Sequence, residues 1–247
     1  MIIGSRIIYV QNSSSTNTYA AELVRGNIAP AEGTIIYTNY QSAGRGQKGN
    51  KWESEDGKNI LCSIILFPDT VMPEDQFIIS MAVSLGINDF LSEKIHGCSV
   101  KWPNDIYAGD KKISGVLIEN TISDNRIENC IVGIGLNLNQ TIFLSDAPNP
   151  VSLKMITGQD YDLEPCLRQL AASLDKRYKQ TLAGDYNTIR ERFISVLYRR
   201  NEWHKYKAGS IVFEGKIDAV GLKGNLIVED RKGKKHEFAT KEIEYIL

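Results

Sequence analysis

Apolar and polar positions divide the chain into a strand-rich first half, a helical middle and a second strand-rich segment at the end. In the first half, short runs of β-branched and aliphatic residues bounded by turn residues predict strands. In the middle, apolar residues recur every three or four positions, which predicts helices. Because strands come first and helices follow, the order favours an α+β fold over a regular βαβ arrangement.

The predicted elements of the first two segments have the following positions. Strands are expected at residues 6–10, 34–40, 59–67, 100–107, 112–119 and 129–137. Helices are expected at residues 18–25, 73–94, 163–174 and 186–197. Gly109 and Asp110 supply a turn between the fourth and fifth strands, so these two strands are predicted to form a hairpin.

Beyond about residue 200 the pattern changes to short strand-like runs, at residues 210–218, 225–229, 236–239 and 242–247. Glycines and an Asp-Arg-Lys-Gly turn separate these runs. A segment of under ~50 residues built in this way is typical of a small β-barrel. We therefore predict two domains, a main one at residues 1–199 and a barrel at residues 200–247.

The composition is that of an ordinary globular protein, with 42% hydrophobic and 24% charged residues among 247. The net charge of −1 argues against general binding to nucleic acid. We expect a cytoplasmic protein, because the N-terminus lacks a signal-peptide pattern and no apolar run approaches membrane-spanning length. Four cysteines and three histidines are widely scattered, which predicts reduced thiols and no metal site built from protein side chains.

The most unusual segment is a glycine-rich basic loop at residues 44–52, Gly-Arg-Gly-Gln-Lys-Gly-Asn-Lys-Trp. Glycine lets backbone N–H groups come close to a ligand, because no Cβ stands in the way. Three cations and a flat aromatic ring complete the loop, and together they indicate a polyanion with an aromatic ring, such as a nucleotide. The glycines are Gly44, Gly46 and Gly49, the cations are Arg45, Lys48 and Lys51, and the aromatic residue is Trp52.

The spacing of these glycines also matches the dinucleotide-binding fingerprint, which requires a strand before the loop and a helix after it. A strand is predicted at residues 34–40, but residues 50–59 have no apolar face and contain Gly57. No helix is expected there, so this interpretation is disfavoured. A solvated surface loop without a ligand stays open on these residues alone.

A second cluster, Lys-Trp-Pro-Asn-Asp, occupies residues 101–105. Proline restricts the residue before it, so Lys101 and Asp105 are predicted to leave a constrained turn in fixed directions. The alternative is a turn in which Asn104 or Asp105 bonds its own backbone.

Two further features lie on predicted strands. Lys112 enters an otherwise apolar strand, where its ammonium must reach an anion or the water at the strand end. Gly133 and Gly135 lie on one face of the next strand, which marks either close approach by a ligand or a bulge.

In this order, these clusters resemble the signature segments of the biotin protein ligase family, the enzymes that attach biotin to carboxylases. The matching segments lie at residues 15–17, 44–52, 101–105, 112–115 and 133–137, and the end of the chain is similar to the family's SH3-like barrel. The resemblance implies a class II synthetase-like α+β fold, with a mixed central sheet and helices mainly on one face. It also implies two steps: biotin and MgATP give biotinyl-5′-AMP, which then acylates a lysine of a biotin carboxyl carrier domain.

The resemblance carries three sets of residues over to this chain. The catalytic set, which offsets negative charge or orients the acceptor amine, is Lys112, Arg45 and Asp105. The biotin-binding set combines polar groups for the ureido end with glycines beside the ring and chain: Ser15, Thr16, Asn17, Gln41, Gly44, Arg45, Gly46, Gln47, Lys112, Gly115, Gly133 and Gly135. The ATP-binding and adenylate-binding set is Arg45, Lys48, Trp52, Lys101, Asn104, Lys112 and Asn137. Mg²⁺ is expected to arrive on the ATP phosphates.

The chain departs from the family pattern at three positions. Gln47 and Asn50 stand where the family loop usually has arginines, so retention of the adenylate is expected to be weaker unless Lys48 compensates. Ser14 stands where an aspartate commonly precedes Ser-Thr-Asn, which puts capping of the first helix in doubt.

The catalytic pattern begins within the first ten residues, so we expect a stand-alone ligase without an N-terminal DNA-binding domain. The expected partner is a biotin carboxyl carrier protein, with no DNA and no membrane, and a homodimer is left open. The alternatives are a lipoate or octanoate ligase or transferase of the same superfamily, a DNA-binding regulator, and an inactive carrier-domain binder. The lipoate ligases typically show a double arginine followed by a glycine triplet near a histidine, which this chain lacks.

Overall fold

The computed structural model describes residues 1–11, 13–47, 49–145 and 148–246. The first half contains β1 Ile7–Tyr9, α1 Thr16–Arg25, β2 Thr34–Thr38, β3 Asn59–Leu66, α2 Phe77–Ser92, β4 Cys98–Lys101, β5 Asp105–Ala108, β6 Lys111–Ser123 and β7 Arg126–Asn137. The middle contains α3 Leu153–Thr157, α4 Leu163–Leu182 and α5 Tyr186–Ser195. The end contains β8 Trp203–Ala208, β9 Ile211–Val220, β10 Leu226–Asp230, β11 Lys235–Phe238 and β12 Glu244–Tyr245. Within these ranges, no helix combines the length and the apolar character needed to cross a bilayer.

Two sheets organise the chain. The larger sheet has seven strands in the order β1-β2-β3-β7-β6-β5-β4, and the smaller has five in the order β11-β10-β9-β8-β12. In the larger sheet β1 is parallel to β2 and every other neighbouring pair is antiparallel, so the sheet is mixed. The smaller sheet is antiparallel throughout. The expected α+β class is confirmed, and the small sheet is consistent with an SH3-like barrel.

Helices cover the two faces of the large sheet unequally. Alternate residues of a strand point to opposite faces, so neighbours on β2 and β3 belong to different cores. Ile35 and Ile64 join the large core with α2, α4 and α5, whereas Ile36 and Ile65 join a small cluster with Ala20 of α1. The main helical layer therefore lies on one face, as expected. The strand surface beside α1 is left open to a ligand.

The single strand predicted at residues 100–107 is wrong, because β4 and β5 replace it as a tight hairpin. Its turn contains Trp102, Pro103 and Asn104, and the peptide bond before the proline is cis. Proline has no N–H for a strand ladder and therefore interrupts an interior strand. The hairpin pairs Lys101 with Asp105 directly across the turn. The hairpin predicted around Gly109 and Asp110 is confirmed as the pairing of β5 with β6.

Other elements also differ from the prediction, and α4 runs to Leu182, eight residues beyond its predicted end. Pro73–Asp75 forms a separate 3-10 turn, and α2 begins only at Phe77. The periodicity missed α3, because five residues are too few to display a helical period. It also missed β8, whose His204, Lys205 and Lys207 leave no apolar run to recognise.

The small sheet packs directly against the large one. Trp102 donates its indole N–H to the carbonyl of Gly224 at 2.8 Å, in a buried hydrogen bond. Gly224 has a φ of +87°, and a Cβ there would lie 2.3 Å from the ring of Phe77, so only glycine fits. Tyr206 and Val228 of the small sheet belong to the same hydrophobic core as α2. A domain boundary near residue 200 stays a prediction, since the core is continuous across it.

Candidate active site

Two adjoining cavities lie around the glycine-rich loop. The first, about 150 Å³, lies between the loop, α1 and the strands β6 and β7, and is called the slot. The second, about 490 Å³, lies between the loop, the β4–β5 hairpin and residues 143–145 and 148–150, and is called the outer cavity. Both are lined by Trp52, Asp105 and Lys112, so the two cavities meet end to end at these side chains.

The floor of the slot consists of glycines held in register by paired strands. Gly115 of β6 lies opposite Gly135 of β7, and the pairing runs through Gly133 without a shift. A Cβ on Gly133 would lie 2.3 Å from Oδ1 of Asn17, and one on Gly135 would lie 2.3 Å from Cε2 of Trp52. The bulge alternative is therefore wrong for these glycines, which instead let Asn17 and Trp52 approach the strands closely.

A polar network lines the α1 end of the slot. Gln41 accepts hydrogen bonds through Oε1 from the backbone N–H of Thr16 at 2.8 Å and from its hydroxyl at 3.1 Å. Ser63 lies 2.7 Å from the hydroxyl of Thr16 and 2.5 Å from Oδ1 of Asn17. Ser15 occupies the N-cap of α1, yet its side chain makes no capping bond. Capping of α1, which Ser14 puts in doubt, comes instead from the Gln41 amide, whose oxygen accepts the first backbone N–H of the helix.

Glu119 was not predicted and connects this network to the loop. Its Oε2 accepts from Nδ2 of Asn17 at 2.7 Å. The guanidinium of Arg45 binds the same carboxylate through two hydrogen bonds, Nη1 to Oε1 at 3.1 Å and Nη2 to Oε2 at 2.9 Å. The two side chains are 45% and 39% exposed, so the ion pair is worth only about 0–1 kcal/mol. Nothing local in the sequence links positions 45 and 119.

The glycine-rich loop is folded into a small hairpin of its own. Trp52 donates its backbone N–H to Gly44 at 3.0 Å, and Gly46 donates to Asn50 at 2.7 Å. Gln47 donates to Oδ1 of Asn104 at 3.1 Å, which ties the loop to the β4–β5 turn. The disfavoured dinucleotide fold is excluded, because the described residues between the loop and β3 contain no helix. Lys48 lies outside the described residues.

Lys112 and Asp105 form an ion pair at the wall shared by the two cavities. The Lys112 ammonium lies 2.7 Å from Oδ2 of Asp105 and 5.8 Å from the ring centroid of Trp52. Both side chains remain about one-third exposed, at 29% and 31%. Lys112 thus reaches an anion rather than only the water at a strand end. An aspartate held in place by a lysine is available to orient an amine.

The outer cavity contains two buried polar atoms without a hydrogen-bond partner among the described residues, Nε1 of Trp52 and Oδ1 of Asn137. The amide nitrogen of Asn137 is already used, since it donates to the carbonyl of Val151 at 3.1 Å. Buried polar groups are normally paired, so a ligand that reached these two atoms would satisfy them. Lys101 adds an ammonium to the same wall.

Glu53, which sequence reasoning missed, holds the far wall of the outer cavity in place. Its two carboxylate oxygens accept the backbone N–H groups of Leu144 at 2.7 Å and Ser145 at 2.8 Å. Burial alone would raise the pKa of Glu53, but the hydrogen bonds from Ser145 and Leu144 outweigh it and hold the pKa below its ordinary value. An ionised Glu53 therefore joins the segment after Trp52 to the segment at 144–145.

The cysteines take no part in this chemistry. Cys62, Cys130 and Cys166 are buried free thiols, as expected, and Cys98 is partly buried. Cys62 lies beside the slot, but burial raises the pKa of its thiol to about 12, so it stays protonated and unreactive.

The structure brings the predicted site residues that it describes to the two cavities. Gly44 borders them through its bond to Trp52, and the others line one cavity or both. Sequence reasoning missed Ser63, Glu119 and Glu53. A buried serine at the centre of the apolar strand β3 was the one available signal, because buried hydroxyls need a partner.

Comparison with known proteins gives concordant matches. The model of the biotin/lipoate A/B protein ligase family matches residues 8–137. The bifunctional ligase/repressor BirA of Bacillus spizizenii is 30% identical over 242 residues, which cover 95% of this chain and 72% of that protein. The biotin–[acetyl-CoA-carboxylase] ligase of Paracoccus denitrificans is 26% identical over 232 residues, 90% of this chain and 94% of that one.

Among solved structures, a biotin protein ligase from Aquifex aeolicus in complex with biotin and ATP has a similar fold. The TM-score is 0.81 at 26% sequence identity, and the match covers 98% of this chain and 100% of that chain.

Proposed function

The chain belongs to the biotin/lipoate A/B protein ligase family, and from this premise we propose that it is a biotin protein ligase. It converts biotin and ATP into biotinyl-5′-AMP and pyrophosphate, and then transfers biotin to a lysine of a biotin carboxyl carrier domain. One observation carries the proposal: the slot and the outer cavity meet at Lys112. An acid lying in the slot would therefore present its carboxylate to the α-phosphate of a nucleotide in the outer cavity.

In the first step, a carboxylate oxygen of biotin bonds to the α-phosphorus while the bond from that phosphorus to the pyrophosphate oxygen breaks. Both reactants are anions, so positive groups must offset their repulsion. Lys112 stands at the meeting point, with Asp105 as the partner that orients it. Arg45 joins them by exchanging Glu119 for a phosphate, which the exposure of that ion pair permits.

The polar network at the α1 end of the slot fits the ureido group of biotin, which offers one carbonyl and two N–H groups. Hydroxyls of Ser15 and Thr16 and the amide of Gln41 provide both donors and acceptors there, and the buried Ser63 supports them through its bond to Thr16. A site built to hydrogen-bond such a group rejects acids that lack it by large factors. The glycine floor leaves room for the fused ring and the chain that carries the carboxylate.

The nucleotide would lie in the outer cavity. Trp52 would stack on the adenine, Asn137 would bond the ribose through its free oxygen, and Lys101 and Asn104 would lie near the phosphates. Mg²⁺ would enter as MgATP. The described residues contain no group of three or more His, Cys, Asp or Glu side chains that could hold a metal, so the donors for Mg²⁺ would be phosphate oxygens.

In the second step, the nitrogen of the acceptor lysine attacks the carbonyl carbon of the anhydride and AMP leaves. The acceptor has a reference pKa of about 10.4 and must first lose a proton. We assign Asp105 to orient or accept this proton, once Lys112 has turned toward the phosphate. Holding the amine against the anhydride supplies the larger part of the acceleration.

The family also contains lipoate ligases, and lipoate is the second candidate substrate. The polar groups of Ser15, Thr16 and Gln41 at the slot favour biotin, because its ureido group can bond them whereas the disulfide ring of lipoate has no N–H or carbonyl. ATP–pyrophosphate exchange with biotin, lipoate or octanoate separates the candidates. Exchange with biotin alone is expected. Exchange with lipoate but not with biotin would overturn the assignment of biotin as the substrate. The absence of exchange with all three acids would favour an inactive carrier-domain binder.

The remaining assignments follow from the same proposal. Residues 1–199 would hold both substrates, and residues 200–247 would form the barrel. The carrier protein would be the partner in the cytoplasm, with neither DNA nor membrane required for the reaction. A gel shift with sequence preference at physiological salt would favour the DNA-binding regulator instead. Sedimentation at working concentration would decide between monomer and homodimer.

A further inference from the structure

A cluster of tyrosines joins the β4–β5 hairpin to the C-terminal sheet. Tyr107 of β5 packs on Tyr198 with ring centroids 5.1 Å apart, and Tyr198 packs on Tyr245 of β12 at 6.2 Å. Tyr245 also meets Tyr206 of β8 edge to face at 5.4 Å. None of these residues belongs to the predicted site, and neither step of the proposed reaction uses them.

Lys101 lies at the edge of this cluster and on the wall of the outer cavity. Its ammonium is 4.9 Å from the ring centroid of Tyr107 and 4.9 Å from that of Tyr245, and it donates to the Tyr107 hydroxyl at 3.0 Å. Both rings lie within the ~6 Å over which an aromatic face attracts a cation. The C-terminal sheet therefore supplies one of the two aromatic faces that hold this ammonium.

The other surroundings of Lys101 work against a fixed positive charge. Burial lowers the pKa of Lys101, Asp105 raises it, and Lys112 and Arg199 lower it further, so that the net shift is downward. An aromatic face attracts the charged form without cancelling its charge, unlike a carboxylate. An ammonium held in this way keeps its full charge for an anion in the cavity.

We propose that Tyr245 is a positioning residue for adenylation, whose ring directs the Lys101 ammonium toward the phosphates of ATP. This inference rests on the proposed function, because it takes the outer cavity to hold the nucleotide. The ring rather than the hydroxyl carries the role, since the hydroxyl of Tyr245 is buried and has no partner among the described residues. The C-terminal sheet then acts in the first chemical step.

The test places phenylalanine and trifluorophenylalanine at position 245. The two rings have nearly the same shape, but fluorination removes the negative charge from the ring face. We expect the fluorinated ring to weaken the binding of MgATP about two- to fivefold relative to phenylalanine, with the biotin KM unchanged. The ATP KM from pyrophosphate exchange and the MgATP Kd from calorimetry measure this. Trifluorophenylalanine at Phe213, which stacks on Phe238 within the same sheet, is the matched control and should change neither constant.

The same comparison is repeated in the Lys101→Met variant. Because the ammonium is then absent, the proteins with phenylalanine and with trifluorophenylalanine at position 245 should bind MgATP equally. A difference that persists there would show that the ring acts through packing, and the role of Tyr245 would be lost. With Lys101 present, equal MgATP binding by the two position-245 variants would also overturn the proposal. A rise in the biotin KM equal to the rise in the ATP KM would overturn it too. If the unmodified protein binds no MgATP, the proposed function itself fails. MgATP binding that is the same with either ring contradicts only the role of Tyr245.

Discussion

The slot and the outer cavity adjoin each other, yet they are built by different means. The slot is formed by paired strands, and its polar groups already bond one another, as Thr16 does with Gln41 and Ser63. The outer cavity borders strand ends but takes two of its walls from the loops at residues 49–53 and 143–145, which side-chain contacts such as those of Glu53 hold in place. Its Asn137 oxygen is left unpaired among the described residues. Recognition of the acid therefore depends on backbone register, whereas nucleotide binding depends on individual side-chain contacts.

Removing the residue that the two cavities share should have the largest effect. Lys112→Ala is expected to reduce pyrophosphate exchange by about 10²–10³-fold, because one cation that offsets the repulsion of two anions is lost. Thermal unfolding should be nearly unchanged, since the side chain is about one-third exposed. Lys111→Ala, at the exposed neighbouring position, is the control and should exchange normally. Full pyrophosphate exchange by Lys112→Ala would show that this lysine has no role in adenylation and only lies at a strand end.

Gly133→Ala should disturb the slot alone. The added Cβ would lie 2.3 Å from Oδ1 of Asn17 on the polar side of the slot, so Asn17 must move. Overpacking of this kind predicts a rise in the biotin KM of tenfold or more, roughly, with the ATP KM unchanged. Gly221→Ala is the control, because its Cβ would meet only an ordinary contact of 3.7 Å. A parallel rise in both KM values would mean that the cavities are not separable.

Trp52→Ala should act mainly on the outer cavity. Loss of stacking on adenine predicts a rise in the ATP KM of roughly tenfold, with a smaller change in the biotin KM. The ring also packs on Gly115 and Gly135, so some effect on the slot is expected. Steady-state exchange at varied ATP and varied biotin separates the two constants. An equal change in both would assign Trp52 to the slot and remove its stacking role.

Glu53→Gln should give the smallest effect, a rise in the ATP KM of about threefold, because one of the two hydrogen bonds to residues 144–145 is lost. The pKa of Glu53 is lowered in the fold, so its contribution to stability is complete above its ordinary value, about 4.3. That contribution disappears as the pH falls through the lowered pKa. The difference in Tm between the wild type and Glu53→Gln should therefore shrink from pH 7 to pH 4. A constant difference would contradict this assignment.

The elements that sequence reasoning predicted well are those with a strong local period. Helix α4 begins at its predicted residue, and the strands β3 and β7 lie where their apolar patterns place them, because those patterns reflect burial on one side or on both. The single strand predicted at residues 100–107 was wrong, because apolar residues lie on both sides of Pro103 and the turn between them was read as part of one strand. Helix α3 was missed because its five residues make too few turns for an apolar period to repeat.

The amino-acid sequence by itself determined which residue types the site offers: close-approach glycines, the loop cations, and Lys112 in an apolar strand. These features are local, since glycine's small size and lysine's charge do not depend on the rest of the chain. Only the tertiary structure decided which groups meet, including Arg45 with Glu119, Gln47 with Asn104, and Lys101 with Tyr245. Such pairs join positions far apart in sequence through sheet order and domain packing, so no local pattern specifies them.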